Sequence, residues 1–174
     1  MKKIAIASAI ALASITAAHA APTVYGKVLL TGEYTDVDDK TAANKDTSTT
    51  KLVSNSSRIG FKGEDDLTDT TKLVYQLEYG IDVDADTNGK GQFYSRNTFI
   101  GLAHNTMGTL LAGRHDTPFK LAKGGVDVFN DYDNVGLGKL MVGENRVKKV
   151  IANKSQTLVG VPVTFMAAAV LSEE

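Results

Sequence analysis

Two histidines, His104 and His115, lie beyond the N-terminal segment, and their spacing does not set two imidazoles on one helical face as a zinc pair requires. No cysteine or acidic grouping completes a metal set. Asp127, Asp131 and Asp133 approach the rhythm of a calcium loop, but Gly136 and Glu144 fall at the wrong offsets for one. No GxSxG turn is present to raise a serine nucleophile. These side chains make no catalytic constellation, so no enzyme activity and no cofactor are expected. What the charged residues do make is an alternation. Between Ser56 and Asp86, Arg58 and Lys62 alternate with Ile59 and Phe61, and Gln76, Glu78, Asp82 and Asp84 alternate with Leu73, Tyr75, Leu77, Tyr79, Ile81 and Val83. Charges presented in this way act on ions by their field.

The elements that carry these residues read as strands. Alternation predicts strands at Thr23–Val37, Leu52–Gly63, Lys72–Asp84, Gln92–Ala103, Gly108–His115, Arg146–Lys154 and Val161–Leu171. In the first, Val24, Gly26, Val28, Leu30 and Tyr34 share one face and Lys27 and Glu33 the other. In the fourth, Phe93, Phe99 and Ala103 share a face opposite Tyr94, Arg96 and Thr98. The connections alternate between long polar loops (Asp38–Thr50 and "ADTNGKG") and short turns ("EDDLTDT" and "HNTM"). Thr117–Gly143 breaks the rhythm with Pro118, glycines and acids, and reads as one long loop with a helical turn near Pro118–Lys123. A connection of that length inside a compact fold is usually functional.

Lys2 and Lys3 precede an apolar run from Ile4 to Ala18 that closes on the small residues of "AHA" before Ala21. This three-part pattern predicts a secretory signal over residues 1–20, cleaved near Ala20. The run is too short for a spanning helix. The chain holds 19 Lys plus Arg against 20 Asp plus Glu; without Lys2 and Lys3 the balance is 17 against 20, a net charge of −3, which is no nucleic-acid signature. An exported chain without cysteine must be held by packing or by a closed sheet.

Periodicity alone leaves open which face of the ribbons meets water. In a secreted sandwich that binds ligands or adheres to surfaces, the apolar faces pack inward. In a transmembrane barrel they meet lipid and the charges line a wet interior. Short turns alternating with long loops favour the barrel. Burying Arg or Lys against lipid near the midplane costs roughly 2–4 kcal/mol, so Arg58, Lys62 and Arg96 should face water if their strands cross a bilayer.

The segments "VYGKV", "SSRIGFKGEDDL", "LVYQLEYGID", "FYSRNTFIGL", "GTLLAGRHDTP", "ENRVKKVIANKS" and "GVPVTFMAAAV", in this order behind a signal sequence, resemble the general, trimeric porins of Gram-negative bacteria from Thr23 onward. That resemblance implies an all-β fold, an antiparallel transmembrane meander from a barrel of about sixteen strands, of which about seven are readable. The chain is therefore expected to be a truncated porin over residues 21–174 that forms no stable conducting pore by itself. It further implies passive diffusion of ions and small hydrophilic solutes across the outer membrane, contact with lipid and lipopolysaccharide, and a homotrimer. Thr117–Gly143 takes the place of the loop that folds into the lumen and constricts it. By the same resemblance Lys27, Arg58, Arg114 and Arg146 form a basic wall, joined through alternation by Lys62 and Arg96. Asp127, Asp131 and Asp133 are its acidic counterpart on the loop, with Glu144 as an outlying candidate.

Overall fold

The computed structural model describes residues 21–38, 46–84, 92–132, 145–156 and 164–171. They form nine strands: β1 (Thr23–Lys27), β2 (Leu30–Asp38), β3 (Asp46–Ser54), β4 (Arg58–Thr68), β5 (Thr71–Ile81), β6 (Phe93–His104), β7 (Gly108–Asp116), β8 (Arg146–Lys154) and β9 (Met166–Val170). A short helix, α1 (Pro118–Lys123), and a single 3-10 turn (Gly124–Val126) follow β7. Seven strands make one antiparallel sheet in the order β1-β4-β5-β6-β7-β8-β9, and β2 and β3 pair separately as a hairpin. The seven-stranded meander expected from alternation is thus present.

Strands β2, β3 and β4 run further than the pattern suggests. β4 continues through Glu64–Leu67, which read as a turn, and the reversal is confined to Asp69 and Thr70. β2 and β3 likewise extend into the segment read as a polar loop. Polar, β-branched threonines tolerate a ladder whose faces are both wet. Conversely, the two long first strands are each interrupted, at Val28–Leu29 and at Asn55–Ser57, where the hairpin leaves the main sheet.

Cross-strand register fixes the two faces. Lys27 is paired with Arg58, Tyr25 with Gly60, and Lys62 with Gln76, so all six side positions share one face. The other face carries Phe61 and Leu77 as a direct pair, with Ile100, Leu102, Leu110 and Ile151 beyond them. Those apolar side chains stay open: Phe61 keeps 38% of its surface exposed, Leu77 41% and Ile100 49%. No second layer covers them among the described residues, so the soluble-sandwich reading is not favoured.

Phe99 is the exception to the expected facing, and a β-bulge is the reason. The β5–β6 register shifts between Leu77 and Tyr79, whose partners are Thr98 and Ser95, so Arg96 and Asn97 together oppose Glu78. One extra residue inverts the parity of everything after it. Phe93 stays on the apolar face, while Phe99, paired with Gln76, moves to the charged face together with Ala103. There Phe99 stacks edge-on against His115, with ring centroids 5.0 Å apart. It borders a small cluster of Leu111, Val150 and Ala152, flanked by Val74, Val147 and Met166. Leu121 of α1 lines the same cavity of about 570 Å³ as Phe99, Leu111 and Val74. The only buried apolar cluster among the described residues therefore lies on the charged face, on the side where the loop helix sits.

Candidate functional site

Five of six neighbouring strands each bring one charged side chain to a file across this face: Lys27 from β1, Arg58 from β4, Glu78 from β5, Arg96 from β6 and Arg146 from β8; on β7, Arg114 pairs in register with Thr98, the partner of Leu77, and its charge acts on Arg146. Glycines make room for it. The Tyr25 ring lies over Gly60 and the Tyr94 ring over Gly80, so close that a Cβ at either glycine would collide with the ring. A second register shift, between Gly113 and His115, sets Arg114 opposite the extra residues Lys148 and Lys149, the latter at φ 55°. Gly113 itself, at φ 141°, adopts a conformation that a side chain resists. Both bulges thus fall in the row of the arginines, where a local kink re-aims a side chain.

Glu78 is the hub of the file. Its Oε1 accepts a 2.6 Å hydrogen bond from Arg96 Nε, its Oε2 accepts one from the Tyr25 hydroxyl at 3.0 Å, and Arg58 Nε stands 3.9 Å away. Gln76 donates in turn to the Tyr25 oxygen at 2.9 Å. The side chains of Arg96 and Glu78 are each only 9% exposed, so neither charge could be held there without the other. At the far end Asp116 accepts from Asn97 Nδ2 at 2.8 Å and lies 3.0 Å from Arg146 Nε. That last contact is an ion pair without hydrogen-bond alignment, since both atoms lack a directed partner. Arg96 and Arg114 are like-charged neighbours of Arg146.

The segment after β7 returns over the file. Thr117 and Pro118 start α1: the Thr117 hydroxyl accepts the Lys120 N–H at 3.2 Å, and proline fits the first helical position. The helical turn expected at Pro118–Lys123 is therefore there. Beyond it Asp131 reaches the wall, where Lys27 Nζ pairs with its Oδ2 and Arg58 Nη1 lies 3.4 Å from its Oδ1. Burial works against ionisation of Asp131, yet Lys27 and Arg58 outweigh it and hold the carboxyl below its ordinary range.

Asp127 takes a different place. It is buried within the segment, paired with Lys123 at 3.0 Å, and caps the Phe129 N–H at 3.2 Å. Lys62 lies over the Tyr25 ring, its Nζ 5.6 Å from the centroid, on the same face but outside the ion-pair file. Asp133 and Glu144 lie outside the described residues. The wall acids Glu78 and Asp116 were not among the candidates drawn from the sequence. An acid on the polar face of a strand reads as solvated, and nothing local in the sequence announces the cross-strand partners of Glu78.

A single antiparallel meander with one open apolar face and one charged face, bearing no second layer among the described residues, is the wall of a transmembrane β-barrel. Residues 5–173 match the family model described as Gram-negative porin, and the chain belongs to that family. A major outer membrane protein, P.IA, of Neisseria meningitidis serogroup B is 42% identical over 86 residues, covering 49% of this chain and 21% of that protein. An outer membrane porin protein of Bordetella pertussis is 29% identical over 177 residues, covering 92% of this chain and 46% of that one. The chain thus spans about half the length of that relative. The solved anion-selective porin from Comamonas acidovorans shares the fold with a TM-score of 0.64, at 24% identity over 80% of this chain and 44% of its own.

Proposed function

We propose that these strands form part of the wall of a general diffusion porin in the bacterial outer membrane, passing ions and small hydrophilic solutes without an energy source. The pore reading rests on one observation above the rest: Asp131, on a segment that follows β7 and returns over the charged face, meets Lys27 and Arg58 of β1 and β4. Acid on one side and a file of guanidinium groups on the other give a field across the passage, which orients dipolar solutes and sorts ions by charge. In this reading Lys27, Arg58, Lys62, Arg96, Arg114 and Arg146 line the pore and residues 117–143 narrow it, with Asp127 pinning the loop's own fold, Asp131 facing the wall, and Asp133 a further acid of the constriction.

The same reading makes residues 1–20 a cleaved export signal, lipid and lipopolysaccharide the surroundings of the apolar face, and a homotrimer the assembled state. Solutes cross a channel, and no residue acts as a catalyst. Neutralising Arg58 and Arg114 together in the assembled pore tests it. In a salt gradient across a planar bilayer the reversal potential should move toward cations. An unchanged potential would place both side chains outside the passage.

A further inference from the structure

The largest fully buried residues of the described chain are Asn55, at 0% exposure, and Ser57, at 1%, and both are polar. They sit where the first long hairpin leaves the sheet, immediately beyond the Lys27–Arg58 pair that ends the β1–β4 ladder. Ser56 between them takes φ 51°, a left-handed conformation that a non-glycine residue keeps only when its surroundings enforce it. The surroundings are a knot of hydrogen bonds joining three passes of the chain. The Asn55 N–H donates to the Leu29 carbonyl at 2.9 Å, and the Leu29 N–H donates to Ser57 Oγ at 2.9 Å. The Ile81 N–H donates to the Ser57 carbonyl at 2.9 Å, the Ser54 hydroxyl lies 3.1 Å from the Ile81 carbonyl, and the Ser54 N–H donates to Asp84 Oδ2 at 2.7 Å. Asn55 Nδ2 reaches across to Thr31 Oγ1 and, at 3.0 Å, to Glu33 Oε1 on the departing hairpin.

We infer that this knot positions the two cations that hold Asp131, and so sets the selectivity of the pore through residues that do not touch the passage. The inference rests on the porin reading above. Lys27 is one residue from the break at Val28–Leu29, and Arg58 directly follows Ser57. Their backbones can shift only if the knot gives. A buried network with every member satisfied fixes one arrangement, and losing one member leaves the others unpaired. With the knot opened, Lys27 and Arg58 lose their common aim at Asp131, and their positive charge faces the passage without its counter-charge.

The test is a double-mutant cycle in the assembled pore, read as reversal potential in a KCl gradient. Asp131→Asn alone should shift the potential toward anions. Ser57→Ala alone should shift it in the same direction by at least roughly half as much, and the double variant should do no more than Asp131→Asn. Purely structural damage would lower the yield of pores and leave the potential of those that form unchanged. Where Ser57→Ala does not assemble, Thr31→Val removes only the hydroxyl that meets Asn55 Nδ2 and is read in the same way. A knot variant that leaves the potential unmoved while Asp131→Asn shifts it, or shifts that simply add, would overturn the positioning role. If Asp131→Asn itself moves nothing, the placement of Asp131 in the passage fails, and the positioning role fails with it.

Discussion

Removing the charge of Glu78 should be the most damaging conservative change on the charged face. Glu78→Gln keeps the size of the side chain and an acceptor for Tyr25, but leaves Arg96 buried beside a neutral amide. At an effective dielectric of about 20, the 2.6 Å contact to Arg96 and the 3.9 Å contact to Arg58 carry gross attractions of ~6 and ~4 kcal/mol. Desolvation of two side chains that are each 9% exposed cancels most of that. Breaking such a pair from one side nonetheless costs about 3–5 kcal/mol, because the remaining charge is stranded. The proposed water-filled passage beside Arg96 favours the lower end, about 3 kcal/mol. The chain has no tryptophan, so urea unfolding in lipid vesicles is followed by far-UV circular dichroism. Glu78→Gln should lower the unfolding free energy by about that amount, and Glu78→Gln combined with Arg96→Met should restore part of it, since a buried charge pair is commonly replaceable by apolar side chains. A single variant within about 0.5 kcal/mol of the parent, the scatter of ordinary surface changes, would refute the claim that Glu78 holds the file together.

Asp131 gives a pH prediction of definite sign. Its carboxyl is held below the ordinary aspartate value of about 3.9, so its contact with Lys27 and Arg58 is fully present above that value and lost as pH falls through the depressed folded value. The reversal potential should stay flat from pH 7 to about pH 5 and drift toward anions only below about pH 4, and a midpoint between pH 5 and 7 would contradict it. Gly80→Ala drives a methyl group into the Tyr94 ring and should destabilise by about 1–3 kcal/mol, with Tyr94→Ala in the same chain relieving the clash. Gly113→Ala meets both a φ of 141° and the Thr98 carbonyl, so a loss of about 1–3 kcal/mol is expected by the same urea assay.

Much of the sheet was legible because alternation survives wherever one face is apolar. Phe61 and Leu77 oppose Lys62 and Gln76 in the sequence as in the structure. The Thr-Pro pair announced α1 for a local reason, the capping hydroxyl followed by a fixed φ. Phe99 was misplaced because periodicity presumes an unbroken ladder. The run Ser95-Arg96-Asn97-Thr98, four polar residues in a strand that otherwise alternates, is the trace the bulge leaves in the sequence. Asn55 and Ser57 read as ordinary strand residues, since what buries them is contact with Leu29 and Ile81, far away along the chain. Glu78 was passed over for a related reason: its partners Tyr25 and Arg96 come from strands 53 and 18 residues away.

The account stands or falls on which face meets hydrocarbon. The chain contains no cysteine, so single Cys variants carry a nitroxide label at one position each. In lipid vesicles, labels at Phe61, Leu77 and Ile100 should collide freely with dissolved oxygen and poorly with a water-soluble nickel chelate, and labels at Lys62 and Gln76 should do the reverse. Labels at Phe61 and Leu77 shielded from both reagents, or reached by the chelate ahead of oxygen, would contradict it.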